Sequence, residues 1–549
     1  MKRGLKKNKL QFLPLGGSGE IGMNLNLYCY NDKWLMVDLG VTFGDRYGIE
    51  IITPDIEFIH ERKDKLAGLV VTHAHEDHIG ALPYLWPYLR CPVYLTPFSA
   101  GVLQRKLEEL PWSSQVPIRV MEPNSHFKVD EFDLRFVQLT HSIPEAQAVL
   151  LKAGDKKIFH TGDWKIDHDP ITGPKFDEDE LRKIGKEGVD VLVCDSTNVF
   201  ESGSTGSESH VEKELTAEID RHKGKRVVVT CFASNIARLQ TLFNAAKQTG
   251  RKVMLAGRSM DRMVEVAQSC GYLMDAPEVV SLDRFSKVAR GKVLLVTTGS
   301  QGEARSGLAR IANLSHPRVI LDSDDVVIFS SRTIPGNEKN ISLMKNQLVL
   351  QGVKVVSSRN DDLHVSGHPS QDELKKMYQM LNPCALIPVH GEARHLHQHA
   401  EFAQRQGIKS ACVPMNGSLI DLNDADGPVI IDQIPVGRFA YDSNRMVPIE
   451  CESILQRKRM SFNGAVSISL VLDKGYNLQN EPIIKSLGIL EQDEISKVNK
   501  QVMRQVDLVL SDEWLNTDDL TEAIRLAVRR VFREIFDKKP TVMVHLHIV

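Results

Sequence analysis

Hydrophobic positions along this chain follow two rhythms, and the change between them falls near residue 205. From residue 10 to about 205, apolar runs are separated by turns and only short helical stretches. The alternation Leu25-Asn-Leu-Tyr-Cys-Tyr30, the turn Asn31-Asp32 and the run Trp34-Leu-Met-Val37 predict strands in sheets packed face to face. The Gly/Ser-rich stretch Glu201-Ser-Gly-Ser-Thr-Gly-Ser-Glu-Ser209 breaks that pattern. Beyond it the rhythm becomes strand, loop, long helix. The runs starting at Arg226, Lys252, Lys292 and Asp325 are near-continuously apolar, as buried parallel strands are, and predict a small doubly wound α/β unit. After Pro435 the pattern turns irregular. The run Gly464 to Leu472, helical stretches around 494–510 and 518–536, and a final strand from Thr541 then predict a separate α+β domain.

Candidate chemistry sits where the apolar runs stop. Val70-Val71-Thr72 leads into His73-Ala-His75-Glu-Asp77-His78, four metal-ligand types within six residues. Three more candidates follow strand-like runs: His141 after Phe136-Val-Gln-Leu-Thr140, Asp163 after Lys157-Ile-Phe159 and His160-Thr-Gly162, and His390 after Ala385-Leu-Ile-Pro-Val389. Together they supply a binuclear zinc site. One ion takes His73, His75 and His141, the other Asp77, His78 and His390, and Asp163 bridges them, leaving a position for water. Because His390 belongs to the same site as His73, the α/β unit must be an insertion into the first domain and not a tandem neighbour.

Composition narrows the picture without deciding it. The 549 residues exceed one hydrophobic core. At 42% hydrophobic and 25% charged the chain reads as globular, and no stretch nears the roughly 18 consecutive apolar residues of a membrane helix. The basic start Met1-Lys-Arg-Gly-Leu-Lys-Lys lacks the apolar segment of an export signal, and the eight cysteines are scattered, which together point to a cytoplasmic protein with reduced thiols. A net charge of -3 argues against a sticky nonspecific nucleic-acid binder but not against a nuclease, since metal ions and a few local cations suffice inside one channel.

Several other signals have ordinary explanations. Gly17-Ser-Gly-Glu-Ile-Gly22 fits a dinucleotide fingerprint, yet the following residues alternate as a strand instead of forming the required helix. His395, His397 and His399 read as a solvated helix face, His545 and His547 as an exposed strand face, and Arg529, Arg530, Arg533, Lys538 and Lys539 as a solvated cationic face. The loops Phe232-Ala-Ser-Asn235, Thr298-Gly-Ser-Gln-Gly302 and Ser330-Ser-Arg332 suit phosphate at helix starts or plain strand-to-helix turns equally well.

The ligand set and its spacing resemble the metallo-β-lactamase superfamily, whose first motif Asp38 matches at the end of Trp34-Leu-Met-Val-Asp38. Asp195 in Val191-Leu-Val-Cys-Asp-Ser-Thr197, His368 in His364-Val-Ser-Gly-His368 and His390 in Pro388-Val-His-Gly-Glu392 look like the three extra motifs of its β-CASP nuclease branch. Gly16 to Gly22, Thr333-Ile-Pro-Gly-Asn-Glu338, His368-Pro-Ser-Gln-Asp-Glu-Leu374 and the C-terminal extension are similar to the ribonuclease J family within that branch. The resemblance implies an αββα sandwich with an inserted β-CASP α/β domain: residues 1–205 and 364–435 as the metallo-β-lactamase domain, 206–363 as the insertion, 436–458 as a linker and 459–549 as the C-terminal α+β domain. It implies two Zn2+ per chain and a hydrolysis of RNA in which no protein nucleophile is needed. Asp38 and Asp195 would orient histidines or water, and His368 would act on the phosphate or leaving oxygen. Phe232, Ala233 and Ser234 with His364, Val365, Ser366, Gly367 and His368 would hold a terminal nucleotide and its phosphate. A structural Ca2+ near Gly48, Glu50 and Asp442 is also implied.

The implied substrate is single-stranded RNA, cut 5′ to 3′ from a 5′ monophosphate and also internally, in rRNA and mRNA maturation and decay. The implied assembly is a homodimer or homotetramer, with other RNA-processing proteins as partners and no membrane. Rival readings are a purely endonucleolytic β-CASP enzyme, a small-molecule hydrolase on thioesters or lactams, an inactive RNA-binding subunit and a DNA-directed relative. The insertion with Asp195 and His368 opposes the small-molecule reading, and the complete ligand set opposes the inactive one. His368, through the family resemblance, favours RNA over DNA.

Overall fold

The computed structural model describes residues 8–44, 47–334, 336–357 and 363–549. The basic start at residues 1–7 and Pro335 of the Thr333 to Glu338 motif lie outside them. Two compact units result, one from 1–42 with 52–437 and one from 43–51 with 438–549.

In the first unit, strands delivered by the first rhythm form two sheets. One has eight strands in the order Val429–Gln433, Ser418–Asp421, Gln11–Gly16, Leu25–Tyr30, Lys33–Val37, Leu66–Val70, Val93–Leu95, Ile118–Val120. The other has seven: His126–Val129, Phe132–Gln138, Gln147–Ala153, Lys156–His160, Val191–Asp195, Ala385–Val389, Ser410–Ala411. Alternation puts Phe12, Leu35, Val37 and Val70 of the first sheet against Phe132, Phe136, Val149, Val191 and Ile387 of the second, so the faces bury each other. The outer face of the second sheet, with Phe159, Leu192 and Cys194, is covered by helices Glu178–Glu187, Gln371–Leu381 and Ala393–Arg405 through Leu181, Leu374, Met377 and Ala403. This is the two-sheet sandwich with covering helices that the resemblance implies.

The inserted sheet is wholly parallel, in the order Lys252–Ala256, Val293–Thr297, Arg226–Thr230, Asp325–Phe329, Lys354–Ser357. Its first four strands fall where continuous apolarity put them. The fifth is short and half exposed, which is why its pattern was weak. Phe98, Val102 and Ile143 of the sandwich join the insertion's core, so the two pack through apolar contact.

In the second unit, Ala465–Leu472 pairs in parallel with Thr541–Ile548 and antiparallel with Ile483–Leu487. Val466, Ile468, Leu470 and Leu472 face helices Ile495–Leu510 and Thr517–Phe536, which bury Val498, Val502, Val506 and Leu520, Ile524, Val528, spaced by one helical turn. The expected linker at 436–458 is instead ordered: Arg438–Asp442 and Arg445–Pro448 form a hairpin and Glu452–Asn463 a helix. Irregular hydropathy there reflects half-exposed strands, not an unstructured chain. Among the described residues no helix is long and apolar enough to cross a membrane.

Candidate metal centre

Strand register assembles the site. Val37 pairs in parallel with Val70, so Asp38 and Thr72 leave the sheet side by side. Asp38 Oδ1 accepts from the Thr72 amide at 2.8 Å, and Oδ2 accepts from the Thr72 hydroxyl at 2.8 Å and His78 Nδ1 at 2.7 Å. The short helix Glu76–Ile79 turns Asp77 and His78 back toward His73. That turn presses on Gly40, where an added Cβ would stand 1.7 Å from the Asp77 carbonyl oxygen. In the other sheet His160 pairs with Val193, and Asp195 with Val389, which brings Asp163, Asp195 and His390 to one edge. The His390 amide donates to the Gly17 carbonyl at 2.7 Å, and Ser18–Gly19 pairs with Gly391–Glu392. The glycine run is thus a tight loop beside His390, followed by a strand and not by the helix of a dinucleotide site.

Three groups of ligand atoms converge, each within 4.8 Å: His73, His75, His141 and Asp163; Asp77, His78, Asp163 and His390; and Asp163, Asp195, His368 and His390. Asp163 Oδ2 lies 3.2 Å from His78 Nε2 and 3.8 Å from both His73 Nε2 and His141 Nε2, a bridging position. His75 Nδ1 stands 3.0 Å from His73 Nε2 and 3.0 Å from His141 Nε2. The His141 Nδ1–H donates to the Gly367 carbonyl at 2.6 Å, so its Nε2 carries a lone pair. Ligand atoms about 2.0–2.1 Å from a tetrahedral zinc stand roughly 3.3 Å apart, close to this spacing. The Asp163 Oδ1, buried and without a hydrogen-bond partner, also suits a cation. The donor set therefore fits divalent metal.

Loss of water, first among the causes, pushes His73, His75 and His141 below the usual imidazole range, His75 to about 4, leaving neutral nitrogens. Burial also opposes charge on His78 and His390, but Asp163 and the neighbouring carboxylates outweigh it and raise both. The His78 Nδ1 bond to Asp38 and the His390 Nδ1 bond to the Thr197 hydroxyl at 2.9 Å turn each Nε2 inward.

Asp195 faces two histidines. Its Oδ2 meets His368 Nδ1 at 2.8 Å, while Oδ1 accepts from the Thr197 amide at 2.8 Å and hydroxyl at 2.6 Å and lies 3.4 Å from His390 Nδ1. Burial disfavours charge on His368, yet Asp195 and Asp163 raise its pKa above the ordinary value. Its Nε2 remains for another partner.

The segment 364–368 is held by residues that sequence reasoning passed over. Asn198 donates to Ser366 Oγ at 2.8 Å and the His368 carbonyl at 3.0 Å, and the Thr205 hydroxyl donates to the same carbonyl at 2.8 Å. Val365 packs into the insertion's core. The 232–234 loop reaches this segment through Arg238: Asn235 caps the helix carrying Arg238, whose guanidinium donates to the carbonyls of Ser330 at 3.0 Å and Leu363 at 3.1 Å and pairs with Glu208 at 3.0 Å. An Arg between the apolar neighbours Ala237 and Leu239 was the hint in the sequence, and its burial appears only in the structure. Asn24, whose amide stands 3.1 Å from His78 Nε2, gave none.

Two expectations need correction. His395 and His399 are buried, not solvated; His399 lies between the Ser196 hydroxyl at 2.8 Å and the Tyr378 hydroxyl at 2.6 Å, whereas His397 is exposed. The implied calcium at Gly48, Glu50 and Asp442 does not fit: both Asp442 oxygens are taken by Arg457, at 3.0 and 2.6 Å, and Arg445 adds a third contact at 3.3 Å. Of the cysteines, Cys384 is exposed and Cys270 and Cys451 half-buried; the other five are buried.

Family models match consecutive parts of the chain: "Beta-lactamase superfamily domain" over 48–231, "Ribonuclease J, beta-CASP domain" over 224–348, "Zn-dependent metallo-hydrolase RNA specificity domain" over 352–414 and "Ribonuclease J C-terminal domain" over 453–549. The chain is 41% identical over 550 residues to the ribonuclease J of Sinorhizobium meliloti, covering 98% of this chain and 97% of that protein. It is 34% identical to the ribonuclease J of Corynebacterium glutamicum, over 98% of this chain and 75% of that protein, and 32% identical to that of Helicobacter pylori strain B128, over 98% and 80%. A solved protein of unknown function from Enterococcus faecalis V583 shares the fold with a TM-score of 0.53 and 15% identity, covering 75% of this chain and 100% of that one.

Proposed function

The chain belongs to the ribonuclease J family, and on that premise we propose that it is a zinc-dependent ribonuclease removing nucleotides 5′ to 3′ from monophosphorylated RNA and also cutting internally. The family makes it a metal-dependent enzyme that hydrolyses RNA; the exonuclease and endonuclease actions, the metal's identity and count, and the residue roles are the proposal. The observation carrying it is the pair of buried ligand groups sharing Asp163, flanked by the Asp195 and His368 pair.

Divalent ions, when bound there, would supply positive charge against phosphate oxygens and lower the pKa of a water. His73, His75 and His141 would hold one ion and Asp77, His78 and His390 the other, with Asp163 within reach of both groups. Asp38 and Asp195 fix the rings they touch. His368, with Nδ1 on Asp195 and charge favoured by two carboxylates, presents Nε2–H to the phosphate or to the departing oxygen. Phe232 to Ser234 and His364 to His368 cradle the terminal nucleotide. Assembly as a homodimer or homotetramer belongs to the same reading.

The test is incubation of the purified enzyme with 5′-labelled and 3′-labelled RNA and with matched DNA. Mononucleotide release from the 5′ label with internal fragments from the 3′ label is expected. Cleavage of DNA at the same rate, or internal fragments alone, would sink the respective part of the proposal.

A further inference from the structure

The segment that leaves the sheet at Asp195 ends by turning an aromatic ring outward: Phe200 is 48% exposed. Single exposed apolar side chains are common on soluble proteins and need no explanation by themselves. This one, however, stands on a fixed backbone. Val199 beside it is buried, the Val199 carbonyl accepts from Gln371 Nε2 at 2.9 Å, and the Glu201 carbonyl accepts from the Gln371 amide at 3.0 Å. The chain is pinned on both sides of the ring, so the exposure does not come from a loose loop.

The neighbours of the ring come from the first turn of helix Ala393–Arg405, which follows the candidate ligand His390. Arg394 Cζ sits 5.6 Å from the ring centroid, a cation–π distance, and the His395 ring meets Phe200 edge-on at 5.1 Å. Gly391 lets the two segments close on each other, since a Cβ there would stand 2.8 Å from the His395 Cβ and 3.2 Å from the Ser196 Cβ. Glu392 Oε2 accepts from Arg394 Nε at 2.9 Å and lies 3.8 Å from His395 Nδ1, a buried nitrogen without a hydrogen-bond partner. Buried polar atoms are ordinarily satisfied, so Glu392 has a second partner within reach and Arg394 can leave it without stranding the carboxylate. Glu201, next to Phe200, pairs with Arg332 of the inserted domain. With these carboxylates matched by arginines, the rim does not call for a bare anion. What it offers is a ring face and a guanidinium plane, the surfaces on which unstacked bases of a single strand lie.

We propose that Phe200, with Arg394 beside it, is a stacking platform for one base of the RNA beyond its 5′-terminal nucleotide. The ring faces the helix that carries His395, and its ring and cation contacts are with His395 and Arg394, not with the proposed terminal cradle of Phe232 to Ser234 and His364 to His368. An RNA cut from its 5′ end has every other nucleotide on the 3′ side of the scissile bond, so a base held outside the cradle belongs to that side. Stacking there keeps the remaining strand in register when the terminal nucleotide leaves, and tolerates any sequence because every base has a face. The choice of RNA as ligand rests on the ribonuclease reading; the platform itself rests on Phe200, Arg394 and their fixed surroundings.

The test is a fluorescence-anisotropy titration of the metal-loaded full chain with 5′-monophosphorylated RNA, labelled at its 3′ end and phosphorothioate-linked to slow hydrolysis. Phe200→Ala is expected to weaken binding about tenfold, the worth of one stacked base, and Phe200→Trp to restore it. Arg394→Lys, which keeps the charge and loses the plane, is expected to weaken it severalfold. A single abasic position moved along the RNA should weaken wild-type binding at one nucleotide 3′ of the terminal one, and should have no effect there in Phe200→Ala, because ring and base act as a pair. Zinc content and thermal midpoint should match the wild type in each variant. Equal affinity of wild type and Phe200→Ala overturns the platform, and an abasic effect confined to the 5′-terminal nucleotide overturns its placement. A lowered midpoint or lost zinc in Phe200→Ala, with no rescue by Phe200→Trp, would make the ring a structural prop. Failure of the ribonuclease reading shows separately: a wild type that binds the RNA but does not hydrolyse its phosphodiester counterpart would sink the activity and leave the platform standing.

Discussion

Arg238→Met removes the buried cation that ties the 232–234 loop to the 364–368 segment. Its side chain is 0% exposed and that of its partner Glu208 is 2% exposed, with 3.0 Å between them. The variant strands the Glu208 carboxylate and takes a donor from the Ser330 carbonyl; the Leu363 carbonyl keeps the Ser330 hydroxyl at 2.7 Å. Breaking a buried pair on one side costs about 3–5 kcal/mol, nearly all of it for the unpaired charge. The midpoint of the first unit's thermal transition should fall by about 3–6 °C. Glu208→Gln added to Arg238→Met removes the stranded charge and should restore more than half of that loss, which a double-mutant cycle measures by scanning calorimetry. Zinc content should stay at the wild-type value, since Arg238 touches no ligand, while the preference for a 5′ monophosphate drops with the register of His364. A loss under about 1 kcal/mol, or additive single and double effects, would refute the reading of this pair as a buried charged link.

Four further outcomes are expected. His75→Ala should lose zinc by elemental analysis, against two per chain in the wild type, and lose RNA hydrolysis with the fold kept by circular dichroism; full activity with one metal or none would remove the binuclear assignment. His368→Ala should keep its zinc yet turn over about 100-fold or more slowly, as loss of an acid or a phosphate donor does; loss of metal would show it to be a ligand. Ser234→Trp should cut mononucleotide release far more than internal cleavage, and a 5′ triphosphate should slow the wild-type exonuclease in the same selective way; equal loss of both activities argues against an end-recognition cradle. Gly40→Ala should destabilise the first unit and weaken zinc retention together, because a Cβ there would press on the Asp77 carbonyl at 1.7 Å; an unchanged midpoint and metal content would contradict the close packing.

The seven candidate ligands were legible because each ends an apolar run, and strand ends with imidazole or carboxylate have few structural reasons to exist. The α/β insertion was legible for a related reason: strands buried on both faces need no alternation and stand out as continuous runs. What escaped depends on partners distant in sequence. His399 shares a helical face with Leu396, Ala400 and Ala403, a pattern that marks it as inward, but only Tyr378 and Ser196 explain how a histidine is tolerated there. Asn198, Thr205 and Arg238 act through carbonyl groups of residues more than 100 positions away, which no local pattern encodes. Strand Ile483–Leu487 alternates with its outward residues half or more exposed, so its apolar content looked like loop.

Asp195 and His390 are neighbours in the folded sheet but 195 positions apart along the chain. Closing so long a loop costs chain entropy that is recovered only once the intervening domain has collapsed. At about 5–20 residues per second of synthesis, roughly 10 to 40 s pass between the appearance of the two side chains. During that interval the nascent chain already displays His73, His75, His141 and Asp163 but cannot close the second ligand group. Assembly of the second ligand group is thereby tied to completion of the inserted domain, and an unfinished chain, still tethered through the ribosome to the message that encodes it, carries no finished cutting centre with which to attack that message.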